Sequence, residues 1–550
     1  MNILFVMYDQ LRSDYLGCAG HPHLATPHFD RVAAGGVRFT NAYVQSPICG
    51  ASRMSFYTGR YVGSHGASWN GFPLRVGELT LGDHLRAAGM DCWLLGKTHF
   101  KPDAHGMARL GIDAASSVGA RQAQCGFDPW VRDDGLWGEG PDGPYDPKPS
   151  PYNDYLRAQG YGGPNPWASR ANAGVRDGAI ASGWMMENAT LPANIREEHS
   201  ETSWLTSEAI RFTDHMEGAE APWCAHVSFI KPHWPYIAPA PYNDMFGPNH
   251  VPAPRRHPVE RDDPHPVYGA YMDNRIAAAF QDDAARQGVI RAYMGLVKQC
   301  DDQLGRLLDH LEAAGRMADT MIVLTSDHGD YLGDHWLGEK DLFHEPSVKV
   351  PLIVRDPRPE ADAARGTTCD ALVEAIDLAP TFVEVAGGTV PDHILEGRSL
   401  LPWLRGETPV WRSFVVSEFD YSPTPQCETL GLAPHEARLF MVFDGRFKLT
   451  HAEGGFRPML FDLHEDPDEF HDLAKGEIPA EVGAEIDRLY GHLAEWGRRP
   501  SQRVTMSEGD IRSMRGRALR RGILPFLVDG SEVPGELTER YRGPAPDDPA

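Results

Sequence analysis

Four short, largely apolar runs, each ending in residues capable of chemistry, constrain this chain more than any other feature. Ile3 to Tyr8 delivers Asp9-Gln10, and Met90 to Leu95 delivers Gly96-Lys97-Thr98-His99. Trp223 to Ile230 delivers Lys231-Pro232-His233, and Met321 to Thr325 delivers Ser326-Asp327-His328. A continuous apolar run such as Ile3 to Tyr8 fits a strand covered on both faces. Between them lie helical stretches at Leu79 to Ala88, Glu201 to His215 and Ala284 to Ala314. The last shows core spacing at Ile290, Tyr293, Met294, Leu296 and Val297, then Leu304, Leu307, Leu308 and Leu311. Alternation of strand and helix implies parallel crossovers, hence an α/β fold, and open α/β sheets place their sites at the carboxyl ends of strands.

The remaining chain divides on texture. Thr26-Pro27 reads as the start of a helix through Ala34, Gly35-Gly36 as its stop, and Val37 to Val44 as a strand leading into a helix at Cys49. From Phe100 to Leu191 periodicity dissolves into Gly, Pro, Asp and Trp, which predicts an insertion with short elements of its own over the mouth of the site. Val350 to Val354 is a further strand and Ile376 to Val385 a further helix. Beyond Gly406 strand-like runs appear at Ser413 to Val416 and Leu439 to Val442, with a turn at Asp444-Gly445. The expected division is a catalytic domain over 1–405 carrying the insertion at about 100–200, a smaller α+β domain over 406–500, and a tail over 501–550.

Bulk composition removes several function classes. Acidic residues outnumber basic ones 77 to 52 in 550 residues, a net charge of -25, which argues against nucleic acid or an anionic membrane as a partner. An anionic substrate must then be drawn by a local cationic site. No apolar stretch approaches the roughly 18 residues of a membrane span. Met1-Asn2-Ile3-Leu4 enters a buried strand at once, without the features of a secretion signal, so the Asn188-Ala189-Thr190 sequon is read as chance. The 8 cysteines are scattered singly, as reduced thiols of a cytoplasmic protein would be. In the tail, Arg512, Arg515, Arg517, Arg520 and Arg521 precede an apolar stretch from Ile523 to Val528, which suits docking onto a second subunit.

Cys49 and Arg53 in Cys49-Gly50-Ala51-Ser52-Arg53 fall on one helix face, placing a nucleophile beside a fixed cation at a helix start, where free N–H groups favour an oxyanion. Cysteine is also among the most buried residue types, so the segment alone fits core packing equally well. Asp9, Asp327 and His328, at distant strand ends, can converge on a hard divalent cation such as Ca²⁺, Mg²⁺ or Mn²⁺. Three loops pair a cation with a proton-transfer group: Lys97 with His99, Lys231 with His233, and Lys340 with His335. Such pairs fit a clamp on a tetrahedral oxyanion.

Taken in chain order, these motifs resemble the sulfatase family of the alkaline phosphatase superfamily. The resemblance rests on Tyr8-Asp9-Gln10, the Cys49 segment with Thr58-Gly59-Arg60, Gly96-Lys97-Thr98-His99, Lys231-Pro232-His233-Trp234-Pro235-Tyr236, and Ser326-Asp327-His328-Gly329 with Leu332-Gly333-Asp334-His335 and Lys340. Phe461-Asp462-Leu463 followed by Asp466-Pro467-Asp468-Glu469 resembles the closing motif of that family. Gln10, Asn70, His328 and Ser417-Glu418-Phe419-Asp420-Tyr421 resemble its phosphonate monoester hydrolase and dimeric arylsulfatase group.

The resemblance implies a large mixed, mostly parallel sheet sandwiched by helices, and hydrolysis of sulfate monoesters with promiscuity towards phosphonate monoesters and phosphodiesters. It implies oxidation of Cys49 by a maturation enzyme to formylglycine (3-oxoalanine), whose hydrate attacks sulfur. One divalent ion (Ca²⁺, Mn²⁺ or Mg²⁺) would be held by Asp9, Gln10, Cys49, Asp327 and His328. Asp327 would take the proton of the attacking hydroxyl, while Lys97, Arg53 and Lys340 neutralise the equatorial oxygens. His233, with Lys340, would assist the leaving alcohol, His99 would deprotonate the remaining hydroxyl, and Asn70 would contact substrate. Retention of Lys97 and His99 favours sulfate esters over phosphonates, and a homo-oligomer, dimer or tetramer, is implied as well. Trp69, Phe72, Trp130, Trp137 and Trp234 are candidates for an aryl pocket.

Overall fold

The first apolar run is buried throughout, and its period-two alternation divides it between two cores. Ile3, Phe5 and Met7 pack with Phe56, Tyr57, Phe382 and Val383 on one side. Leu4, Val6 and Tyr8 pack on the other with Ile290, Tyr293, Leu304 and Leu307 of the Asp283–Ala313 helix. This strand, β1 (Asn2–Asp9), therefore lies inside a sheet covered by helices on both faces.

The computed structural model describes residues 1–135, 150–500, 506–515, 529, 531 and 535–536. The strands that follow β1 are β2 (Val37–Tyr43), β3 (Asp91–Gly96), β4 (Asp128–Arg132), β5 (Ala173–Arg176), β6 (Ala179–Ser182) and β7 (Trp223–Pro232). After them come β8 (Thr320–Ser326), β9 (Lys349–Arg355), β10 (Thr367–Glu374), β11 (Val415–Asp420), β12 (Arg438–Phe443), β13 (Phe447–Ala452) and β14 (Met459–Asp462). Among the described residues the main sheet has 8 strands in the order β10-β2-β9-β8-β1-β7-β3-β4. All neighbours are parallel except β9, which runs antiparallel to both β2 and β8. The expected mixed, mostly parallel sheet between helices is thus observed.

Parallel register brings the four chemistry-bearing strand ends to one edge. Tyr8 lies opposite Phe229 on one side and Ser326 on the other, and Gly96 lies opposite Ser228. The pairing of β1 with β7 shifts between Tyr8, opposite Phe229, and Asp9, opposite Pro232, so Ile230 and Lys231 have no register partner where the site begins. Gly96 closes β3 at φ 98°, and a Cβ there would meet Ser228 O at 2.2 Å, so only glycine permits the turn into Lys97.

The stretch expected as an insertion contains helices at Ala104–Arg109, Ser117–Ala123 and Pro151–Ala158 and the β5–β6 hairpin. It also contains β4, which extends the main sheet beside β3. The Gly138 to Pro144 stretch and Trp137 lie outside the described residues. Farther on, β11 to β14 form an antiparallel sheet, as expected of a smaller α+β region, with β11 beginning two residues later than the Ser413 run. The Ala480–Gly497 helix covers it, packing Ile486 and Leu489 on Val416, Val442, Leu449 and Leu460.

Residues 1–390 and 395–499 make one compact unit, and 391–394 with 500–550 a second. In the second, a helix at Glu508–Met514 is capped by Ser507, and Arg512 pairs with Glu508 at 2.7 Å. Arg517, Arg520, Arg521 and Ile523 to Val528 lie outside the described residues. Among the described residues no helix is long and apolar enough to cross a membrane.

Candidate active site

Cys49 opens the Cys49–Thr58 helix, as expected, and all ten residues of that helix are buried. The helix carries no side-chain N-cap of its own; Asn70 Oδ1 instead accepts the Gly50 N–H at 2.8 Å. That bond meets one of the free donors of the first turn. It also commits the side-chain oxygen of Asn70, a residue expected to contact substrate, to shaping the helix start.

Around the thiol the structure gathers Asp9, Asp327 and His328, all fully buried, with one ligand-capable atom each within 4.8 Å of the others and of Sγ. Cys49 Sγ is 3.0 Å from His328 Nε2 and 3.9 Å from Asp9 Oδ1. His328 Nε2 lies 3.6 Å from Asp9 Oδ1 and 3.7 Å from Asp327 Oδ1. Its Nδ1 is 2.8 Å from Gly329 O, which fixes the ring so that Nε2 faces the carboxylates. Two carboxylates and one imidazole around a fourth position form a donor set suited to a single divalent cation, and the residues present therefore fit one.

Gln10 occupies the left-handed region, φ 65°, which turns its side chain back across the strand ends. Its Nε2 donates to Asp330 Oδ2 at 2.5 Å and Tyr236 OH at 3.0 Å, and its Oε1 stands 3.4 Å from Lys340 Nζ. The amide is thereby oriented by a network of its own, and its backbone N–H binds Asp327 Oδ1 at 3.1 Å.

Arg53 does something its spacing alone did not reveal. It is fully buried, donating from Nε to Asp327 Oδ2 at 2.8 Å and from Nη2 to Asp9 Oδ2 at 3.0 Å. Its Nη1 donates to Ser228 Oγ at 2.7 Å and Lys97 O at 3.0 Å. The planar fork thus joins two strand ends, the helix and the 97–99 loop. Lys97 Nζ reaches Asp9 Oδ2 at 2.6 Å. Burial opposes ionisation of Asp9, but Lys97, His233, Arg53 and His328 outweigh it and hold the carboxyl well below the usual range.

The proton-transfer candidates flank this core. His99, at φ 55°, faces the Cys49 thiol through a side-chain hydrogen bond, while burial and then Lys97 push its pKa down. The Thr98 and His99 N–H groups both bind Asp134 Oδ1, at 2.9 and 2.8 Å, and Arg132 Nε holds the other oxygen of Asp134 at 2.7 Å. His233 Nε2 lies 3.8 Å from Asp9 Oδ1 and 3.2 Å from Lys340 Nζ. Burial pulls His233 well below its ordinary value even against the attraction of Asp9, so it rests neutral beside a charged Lys340. Burial disfavours charge on Lys340 too, but Cys49, Glu339, Asp9 and Asp327 overcome it and raise its pKa.

Other expected residues fall elsewhere. Lys231 Nζ is spent on Asn172 Oδ1 and Pro235 O, each at 2.9 Å, and so shapes the loop instead of joining the cluster. His335 bonds Glu260 at 2.7 Å and stacks on His344 with ring centroids 3.8 Å apart. Trp130 packs on Phe212 and His215, and Trp69 on Phe419, as internal anchors. Asp134 and Asn172, which steady the two loops, carried no signal in the sequence, since neither belongs to a motif or a periodic element.

Comparison with known proteins places this geometry. The sulfatase family description matches residues 1–388, and the description of the N-sulphoglucosamine sulphohydrolase C-terminal region matches residues 333–494. The chain is similar to a multifunctional alkaline phosphatase superfamily protein, PehA, of Trinickia caryophylli, 31% identical over 505 residues, covering 86% of this chain and 91% of the relative. It is 27% identical to an arylsulfatase of Clostridium perfringens over 86% of this chain and 90% of that one. Among solved structures it resembles a phosphonate monoester hydrolase of Silicibacter pomeroyi with a TM-score of 0.76 and 30% identity, covering 90% of this chain and 94% of that one.

Proposed function

The chain belongs to the sulfatase family, and we propose that it hydrolyses sulfate monoesters, with formylglycine made from Cys49 and one divalent ion, and accepts phosphonate monoesters and phosphodiesters less well. The observation that carries this reading is the position of Cys49 at a buried helix start, 3.0 Å from His328 and beside Asp9 and Asp327. Such a thiol, were it only core packing, would not be ringed by two carboxylates, an imidazole and three cations. Asp9, Asp327 and His328, with the modified side chain at 49 and with Gln10 alongside, would hold the ion, which supplies Lewis-acid stabilisation of ester oxygens and of the nucleophile.

The chain's own residues supply the rest. Lys97 and Lys340 present cations from two loops towards the equatorial oxygens, in a site where low dielectric strengthens them. Arg53 acts through Asp9 and Asp327, holding both carboxylates rather than reaching the ester itself. Asp327 takes the proton of the attacking hydroxyl. Lys340, paired with His233, gives a proton to the departing oxygen. His99, held on Asp134 and facing position 49, removes the proton that frees the side chain for the next cycle.

A second reading, with phosphonate monoesters preferred, is favoured by the likeness to the Silicibacter pomeroyi structure. Competing turnover of 4-nitrophenyl sulfate and of 4-nitrophenyl phenylphosphonate by metal-replete, matured protein separates the two. The proposal expects the higher kcat/KM on the sulfate. A higher value on the phosphonate establishes the second reading, and no turnover of either overturns both.

A further inference from the structure

Val175, Ile180, Trp184 and Met185 are all exposed, Trp184 by 45%. They belong to the β5–β6 hairpin and its exit, where Val175 pairs with Ile180 across the strands. Clustered exposed apolar groups mark a surface that meets something. One of these residues, Trp184, leads towards the reaction centre through Trp234.

The hairpin is anchored to the catalytic loop after β7. Asn172, just before β5, accepts Lys231 Nζ with its side chain and the Gly183 N–H with its carbonyl, each at 2.9 Å. A Cβ on Gly183 would approach that carbonyl to 2.7 Å and Ile237 Cγ2 to 2.8 Å, so glycine lets the hairpin exit press against the loop. Trp184 follows directly. Its ring centroid lies 4.9 Å from that of Trp234, tilted by 56°. Trp234 in turn lies 4.2 Å from the His233 ring, and Lys340 Nζ stands 5.7 Å from the Trp234 centroid. An aromatic path therefore runs from the His233–Lys340 pair outward to a tryptophan ring that is nearly half in solvent.

A leaving group departs on the side of its proton donor. On the reading of the site as an ester hydrolase, the atoms attached to the departing oxygen extend from His233 and Lys340 along this path. We propose that Trp184 and Trp234 form the leaving-group subsite and that it selects esters whose leaving group is a flat aromatic ring. Ring pairs at such spacings favour tilted or offset contact, and a tryptophan fixed by its neighbours gives that contact at little entropic cost.

The test measures kcat/KM for 4-nitrophenyl sulfate and for n-butyl sulfate in the native protein, Trp184→Ala and Trp184→Phe. The aryl-to-alkyl ratio should fall by roughly 3- to 10-fold in Trp184→Ala, the size of one aromatic contact, and return most of the way in Trp184→Phe. The loss should lie mainly in KM. An unchanged ratio overturns the subsite, including the case in which both substrates decline together through a structural effect. A second arm measures equilibrium binding of 4-nitrophenyl sulfate to metal-replete Cys49→Ala and to Cys49→Ala with Trp184→Ala. Weaker binding in the double variant supports the subsite, and equal binding overturns it. Failure of the underlying reading is distinguishable, because then the native protein turns over neither ester while the binding arm still reports on Trp184.

Discussion

Arg53→Lys is the substitution whose consequence follows most directly from the geometry. Arg53 makes two charge-assisted bonds, to Asp327 at 2.8 Å and Asp9 at 3.0 Å, and two further bonds to Ser228 and Lys97 O. A lysine keeps the charge but replaces the rigid fork with a single ammonium, which cannot reach both carboxylates. Loss of one charge-assisted bond costs about 1.5–3 kcal/mol. Full removal of the partner, as in Arg53→Ala, costs about 3–5 kcal/mol, because buried Asp327 loses its ion pair while Asp9 keeps only Lys97. If Arg53 acts by holding Asp9 and Asp327, the energy lost in stability is also lost in positioning. At about 1.4 kcal/mol per factor of ten, kcat/KM of Arg53→Lys should then fall roughly 10- to 100-fold. Urea denaturation of metal-replete protein gives the first quantity, and turnover of 4-nitrophenyl sulfate the second. A variant within twofold of native activity and unchanged in stability would refute the reasoning.

Two further predictions rest on other groups. Chelation should abolish turnover and lower the unfolding temperature; restoring a divalent ion to 100 times its Kd should return about 2.7 kcal/mol of stability. No thermal shift with any of Ca²⁺, Mn²⁺ or Mg²⁺ would remove the metal from the account. Glu201, buried behind β3 and β7, has its carboxyl pushed up to about 7 by burial, with Lys231 working against that rise. A raised carboxyl contributes stability that is fully present below its unfolded value near 4.5 and lost as pH climbs through 7. Glu201→Gln should therefore gain on the native protein between pH 5 and pH 8, by at most about 3 kcal/mol. A difference independent of pH, measured by urea denaturation, would contradict it.

How much of this was legible beforehand depends on the kind of signal. β1 and most of β8 were readable as apolar runs, because burial on both faces leaves no polar alternation, and β3 and β7 were readable as largely apolar stretches despite Asp91, His226 and Ser228. The Pro27–Ala34 helix was readable from Thr26-Pro27 and its closing glycines. By contrast β10, half exposed along Thr367–Glu374, shows no continuous apolar run, and the antiparallel direction of β9 depends on long-range pairing. The Ala480–Gly497 helix was not legible in the same way, because Gly483 and Gly491 interrupt it and only Ile486 and Leu489 of it are buried.

At the site, Asp9, Asp327 and His328 were legible because they follow apolar strands, and Cys49 because Arg53 stands four residues on at a helix start. Lys340 lies in a loop without period and was legible as a cation downstream of Asp327, but its sequence neighbour His335 turns to Glu260 and its partner at the site is His233, 107 residues away. Arg53 was found but given the wrong emphasis: spacing placed it beside Cys49, whereas the two carboxylates that claim it are 44 and 274 residues away in the chain. Trp184 was passed over because a lone tryptophan among Gly, Ser and Met residues carries no pattern until folding sets it on Trp234.

The central claim is that Cys49 is the precursor of the reacting group, and mass analysis of the peptide containing it tests that most directly. In protein matured alongside a formylglycine-generating enzyme, the Cys49 peptide should be lighter by about 18 Da than the thiol form, and specific activity should rise in proportion to that fraction. Full activity in protein whose Cys49 is entirely unmodified would contradict the account.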